Sequence, residues 1–70
     1  MPSDKARVRF IEAFYTALWT GQYPSPRQMN WELGRNRSNP DTITGWEVQL
    51  RNELLRSEGY VRRNNRWVKP

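Results

Sequence analysis

From Ser3 onward, apolar residues recur every three or four positions. Val8, Ile11, Tyr15 and Leu18 form one line, and Phe10, Phe14 and Ala17 widen it into a stripe. That spacing predicts an amphipathic helix over about residues 4–20. Ser3 is placed to cap it, Asp4 puts an acid in its first turn, and Gly21 follows where it should stop. A short second helix is predicted over about 26–33. Ser25-Pro26-Arg27-Gln28 forms a capping box with proline at the first helical position, where the serine oxygen accepts the Gln28 N–H and the Gln28 side chain reaches back. Met29 and Leu33 point inward, and Gly34 supplies a left-handed stop. In the third helix Ile43, Trp46, Leu50 and Leu54 share a face. At about 100° per residue, Gln49, Asn52 and Arg56 fall opposite them. Two starts fit: Asn39 as a cap before Pro40 and Asp41, or Thr44 with Glu47 three residues on. Pro40 is favoured, giving a helix over about 40–58 that is irregular near Gly45 and ends at Gly59.

The periodicity changes in the tail, "YVRRNNRWVKP". It predicts a β-hairpin over about 60–69 with Asn64-Asn65 as a two-residue turn, because asparagine tolerates positive φ. That register sets Arg63 against Arg66, Arg62 against Trp67 and Val61 against Val68, with the two valines facing the core. Like charges opposite each other on a ribbon repel. The cost is offset a little with both side chains solvated, and more with a phosphate or a narrow minor groove between them. Arg62 is placed to stack on Trp67. The plainer reading is an edge hairpin kept soluble by its charges. The fold class is therefore mainly α with a C-terminal β-hairpin.

Seventy residues bound this to a single domain, near the lower limit for a core without staples. There is no cysteine and no histidine, so disulfides, thiolate metal sites and His or Cys catalysis are excluded. There is also no glycine-rich phosphate loop. Asp41 and Glu47 are the carboxylates one would offer for acid–base work, but nothing marks a pocket around them. No catalytic residue, metal or cofactor is expected. The net charge is +5, carried by ten arginines and two lysines, and the excess sits in residues 35–70. An arginine-heavy basic domain suggests a polyanionic partner, nucleic acid before membrane surface. "KARVRFIEAFYTALW" begins like a signal peptide, but Glu12 interrupts its apolar run and no small-residue cleavage site follows. No apolar stretch approaches the ~18 residues of a membrane span. A soluble, cytoplasmic protein without a membrane partner is expected.

The order helix, short capped helix, helix, hairpin resembles the winged helix-turn-helix family of DNA-binding domains. The resemblance spans nearly the whole chain. It rests on "PSPRQMNWELG" as supporting helix, "ELLRSEGYV" as the recognition helix turning into the first wing strand, and "RRNNRWV" as the wing. Leu55, Gly59, Tyr60 and Val61 carry the family's leucine–glycine–apolar pattern. One departure is the connection after Gly34, longer than a tight helix-turn-helix turn if the third helix begins at Thr44.

The resemblance implies sequence-specific binding of double-stranded DNA. The third helix would enter the major groove with Thr42, Gln49, Asn52 and Arg56 towards the bases; asparagine or glutamine suits adenine and arginine suits guanine. Arg62, Arg63, Asn64, Asn65 and Arg66 of the wing would meet the minor groove or backbone. Arg27, Arg35, Arg37, Arg51 and Lys69 are the candidate phosphate contacts. Glu47, Glu53 and Glu58 work against an anionic partner and are expected to pair with Arg51, Arg56 and Arg62. As a domain without an attached effector it would act by occupancy, as a small transcriptional regulator or an architectural or recombination accessory factor. Its size suits a bacterial, phage or mobile-element protein, nucleoid-associated if bacterial. The alternative is a protein–protein interaction module on the same fold, with Trp31 or Tyr60 as anchor. A monomer is expected, or a weak homodimer through the first helix.

Overall fold

Ser3 accepts the Ala6 N–H at 3.1 Å and opens helix α1 (Asp4–Trp19), the first element in a computed structural model that describes residues 2–70. Helices α2 (Pro26–Glu32) and α3 (Gly45–Ser57) follow, then strands β1 (Val61–Arg63) and β2 (Arg66–Val68). Three helices and a C-terminal antiparallel hairpin make a mainly-α, winged-helix-like layout, as the periodicities predict. Among the described residues no helix is long and apolar enough to cross a membrane.

The buried line of α1 is Phe10, Ala13, Phe14 and Ala17, whereas Val8 remains 55% exposed. The stripe is thus rotated towards the two phenylalanines, whose larger apolar area gains more from burial than a valine's. They meet Met29 of α2 and Leu55 of α3 in one core, with Trp46, Leu50, Leu54, Tyr60 and Trp67 packed around it. Phe10 and Trp46 sit 5.7 Å apart between ring centroids, so α3 is clamped to α1 by aromatic contact.

In α2, Ser25 accepts the Gln28 N–H as expected, at 3.1 Å. The Gln28 side chain does not reach back; it donates to Glu32 at 2.8 Å, one turn further along. Gly34 closes the helix at φ +70°, a conformation that a side chain would strain.

The third helix does not begin at Pro40. It begins at Gly45 with Thr44 as its N-cap, and the reason lies in two hydrogen bonds. A helix started at Pro40 would pair the Pro40 carbonyl with the Thr44 N–H. Instead, the Pro40 carbonyl accepts from Asn30 Nδ2 at 2.8 Å, and the Thr44 N–H donates to Glu47 Oε1 at 3.0 Å. Asn30 Nδ2 also holds the Thr42 carbonyl at 2.9 Å, and Asn39 Oδ1 accepts the Asp41 N–H at 3.2 Å. The connection is therefore an ordered loop, tied to α2 by one buried asparagine.

The hairpin has the predicted register, Val61 with Val68, Arg62 with Trp67 and Arg63 with Arg66. Asn64 and Asn65 have φ of 50° and 60°, the pair of positive angles a two-residue primed turn requires. The core-facing side, however, is not that of the valines. Trp67 and Tyr60 pack on the core, while Val61 is 37% exposed. Because side chains alternate, one large indole claims the inner face and leaves the valines on the other, Val61 exposed and Val68 half-buried. Replacing Asn65 with alanine is expected to cost about 1 kcal/mol, since alanine pays more in the left-handed region. Thermal unfolding followed by circular dichroism should show Tm falling by about 4–8 °C.

Candidate nucleic-acid interface

The outer face of α3 is open. Gln49 and Arg56 are exposed there, together with Val48 and Glu53, and Asn52 is half-buried beside them. Asn52 Oδ1 accepts from Arg51 at 3.4 Å, which leaves its amide nitrogen to donate outward. Thr42 lies outside α3, exposed in the preceding loop with its hydroxyl on the Asn39 carbonyl at 3.2 Å. The predicted readers therefore form two groups: Gln49, Asn52 and Arg56 on the helix, and Thr42 ahead of its N-terminus.

The glutamates do not pair as expected. Glu47 is buried, 1% exposed, and takes both terminal nitrogens of Arg35 across the loop. Burial pushes its carboxyl up, but hydrogen bonds from Arg35 and from the Thr44 N–H and hydroxyl outweigh that, and the group lies below the usual carboxylate range. Glu58 accepts from the Tyr15 hydroxyl at 2.9 Å and so faces α1. Glu53 stays exposed on the outer face and has no ion pair. The ion pairs among the described residues are Arg27–Asp41 and Arg35–Glu47. Arg51, Arg56 and Arg62 have no carboxylate partner, because Glu47 is taken by Arg35, Glu58 by the Tyr15 hydroxyl, and Glu53 stays in solvent.

Trp67 takes their place as the organiser of the wing. The guanidinium of Arg56 lies 5.1 Å from its ring centroid and that of Arg62 lies 5.4 Å away. One indole thus holds a cation from α3 beside a cation from β1, fixing the wing's position against the helix. Arg63 and Arg66 face each other at the tip, both exposed, and Lys69 lies 5.7 Å over the Tyr60 ring. Arg56, Arg62, Arg63, Arg66 and Lys69 thus gather five positive charges at the end of α3 and on the hairpin, Arg62 and Lys69 on the Trp67 side of the ribbon and Arg63 and Arg66 on the other. Like charges gathered in this way repel one another, and a nearby anion eases the repulsion.

The candidate phosphate contacts divide. Arg27 pairs with Asp41 at 2.8 Å in full solvent, where the hydrogen bond between them raises the arginine's pKa and lowers the aspartate's. A solvent-screened pair of this kind opens readily. Arg37 is half-exposed and reaches the Thr42 carbonyl at 3.5 Å, leaving most of its donors available. Arg35 is committed to Glu47. Arg51 is only 8% exposed and lies at the floor of a cleft beneath the wing, away from the open surface.

Sequence reasoning missed Asn30, Glu47 with Arg35, and the double role of Trp67. Asn30 and Arg35 sit at unremarkable polar positions, and only the fold brings them to their partners. Trp67 carried a sequence signal, since it lies directly across the ribbon from an arginine. Two further tryptophans stand outside the core: Trp19 is 82% exposed and Trp31 is 77% exposed. Set against models of protein families, curated proteins and solved structures, the chain matches none of them, so its own side chains carry the functional reading.

Proposed function

We propose that this chain is a double-stranded DNA-binding domain. The observation that carries the reading is the group of Arg56, Arg62, Arg63, Arg66 and Lys69, which no carboxylate among the described residues neutralises and in which Trp67 holds Arg62 of the wing beside Arg56 of α3. In this reading α3 enters the major groove. Gln49 and Asn52 meet adenine edges and Arg56 a guanine edge. The wing follows the flanking minor groove or backbone, where the Arg63–Arg66 pair gains a phosphate between its charges. Arg27 and Arg37, which share a separate groove, add backbone contacts that set its orientation. Specific occupancy of a site, in the cytoplasm, would serve transcriptional regulation or an architectural role in recombination.

Fluorescence anisotropy of a random duplex titrated with the domain tests this. About six phosphate contacts should weaken affinity roughly a thousandfold between 50 and 200 mM salt. Absence of binding at low salt, or an affinity indifferent to salt, removes the DNA reading.

A protein-docking reading is favoured by one observation, the exposed Trp31. Large aromatics are typical interface anchors. Trp31 lies in a shallow groove with Arg27 and Arg37, and none of the five basic residues of α3 and the hairpin lines it. If it serves a protein partner, Trp31→Ala should leave the salt-dependent duplex affinity unchanged.

A further inference from the structure

We infer that the cleft enclosed by α3, the wing and the α1–α2 connection is a binding site for one phosphate oxyanion. The cleft has a volume of about 390 Å³ and is lined by Tyr23, Pro26, Arg51, Arg62, Asn65, Arg66 and Trp67. All of these side chains except that of Pro26 offer a hydrogen-bond donor, and none is acidic.

Arg51 decides the chemistry. It is 8% exposed, yet neither ion pair among the described residues includes it. Its Nη1 donates to the Pro24 carbonyl at 3.1 Å and the Tyr23 hydroxyl at 3.3 Å, and its Nη2 to Asn52 Oδ1 at 3.4 Å. All three acceptors are neutral. A buried guanidinium held only by neutral groups is costly, and the cost falls when an anion shares its site. Two buried donors here also lack any acceptor, Arg51 Nε and the indole Nε1 of Trp67. Such groups are rare in folded proteins, and both belong to residues lining this one cleft. A tetrahedral oxyanion supplies several acceptor oxygens at once and suits the planar fork of arginine. Arg62 and Arg66, entering from the wing, close the site with positive charge.

The phosphate has two chemical sources. One is a backbone phosphate of a duplex lying along the wing, which rests on the DNA reading above. The other is a free phosphate, which does not. The test follows the Trp67 indole N–H and the Arg51 Nε–H by NMR in the full chain. Inorganic phosphate is added at constant ionic strength against chloride, and a random duplex is added separately at low salt. Both resonances are expected to move saturably with phosphate and not with chloride. Arg66→Ala should weaken phosphate binding about tenfold, the effect of one charge-assisted contact, and Arg51→Met should abolish it. Shifts with inorganic phosphate from a chain that binds no duplex would keep the site and remove the DNA reading. Shifts with duplex alone would keep the site and name the backbone as its source. If neither ligand moves the two resonances, the inference is overturned, even where the duplex binds elsewhere on the chain. Should Arg51→Met fail to fold, the shifts in the native chain and the response of Arg66→Ala, an exposed position, decide the matter.

Discussion

Replacing Glu47 with alanine is expected to remove about 3–5 kcal/mol of stability, the usual loss when one partner of a buried ion pair is taken away. The side chain is 1% exposed and has three tasks. It neutralises Arg35, it accepts the Thr44 N–H at 3.0 Å, and it accepts the Thr44 hydroxyl at 3.0 Å. Alanine leaves the arginine without its counter-charge, orphans a donor at the first turn of α3 and opens a hole beside α2. A domain this small has only a few kcal/mol to lose, so the variant should be largely unfolded at room temperature. Glu47→Gln keeps the shape and the acceptor for Thr44, and should lose less than alanine. Urea denaturation followed by circular dichroism measures both. A Glu47→Ala chain within about 1 kcal/mol of the native one would mean that desolvation already cancels the pair.

The same carboxylate contributes to the acid side of the stability profile. Its pKa is held below the value of an unfolded glutamate, about 4.3, so the folded chain binds this proton less readily than the unfolded one. The stabilisation is therefore complete above that unfolded value and disappears as pH falls through the lower, folded one. Tyr15 has the opposite sign. The hydrogen bond to Glu58, and burial after it, raise its pKa above the ordinary value. Its contribution is complete below about pH 10 and is lost as pH rises through the folded value. Tyr15→Phe should flatten the alkaline side of the stability profile and leave the acid side unchanged.

Most of the architecture was legible because it is written in local punctuation. Ser3, Ser25, Gly34, Gly59 and Asn64-Asn65 each act within a few residues of themselves and hold the predicted ends and turn, with only the return half of the Ser25 box missing. The start of α3 was misread for the opposite reason. Asn39-Pro40-Asp41 has the local chemistry of a helix start, but Asn30, ten residues away, takes the Pro40 carbonyl out of the helix. The wing was legible in register and not in orientation. Alternation fixes which residues share a face, while the choice of inner face depends on where the indole of Trp67 finds the core. The site followed the same division. Exposed arginines at the hairpin tip were visible from pattern alone. The fates of Arg35 and Arg51 were not, since a guanidinium's partner is chosen by the fold across 12 residues for Glu47 and 27 for Pro24.

Changing Arg62, Arg63 and Arg66 together to alanine is expected to leave the fold intact and remove most of the salt-dependent duplex binding. All three are exposed, and Arg63 and Arg66 oppose each other across the ribbon, so their loss relieves a repulsion. The change takes three units from a net charge of +5. If each arginine neutralises a phosphate, the salt slope should fall by about 2.7. The ratio of affinities between 50 and 200 mM should then shrink by about fortyfold. Gln49→Ala with Asn52→Ala makes the contrasting case. Those side chains carry no charge, so the slope should stay as it is while preference among duplex sequences declines. The two variants separate holding DNA from reading it, because phosphate contacts act equally on every sequence and base contacts do not. A triple variant that keeps the native slope would assign the anion contacts elsewhere. The wing arginines would then be the charges that keep an exposed strand edge from pairing with its neighbours.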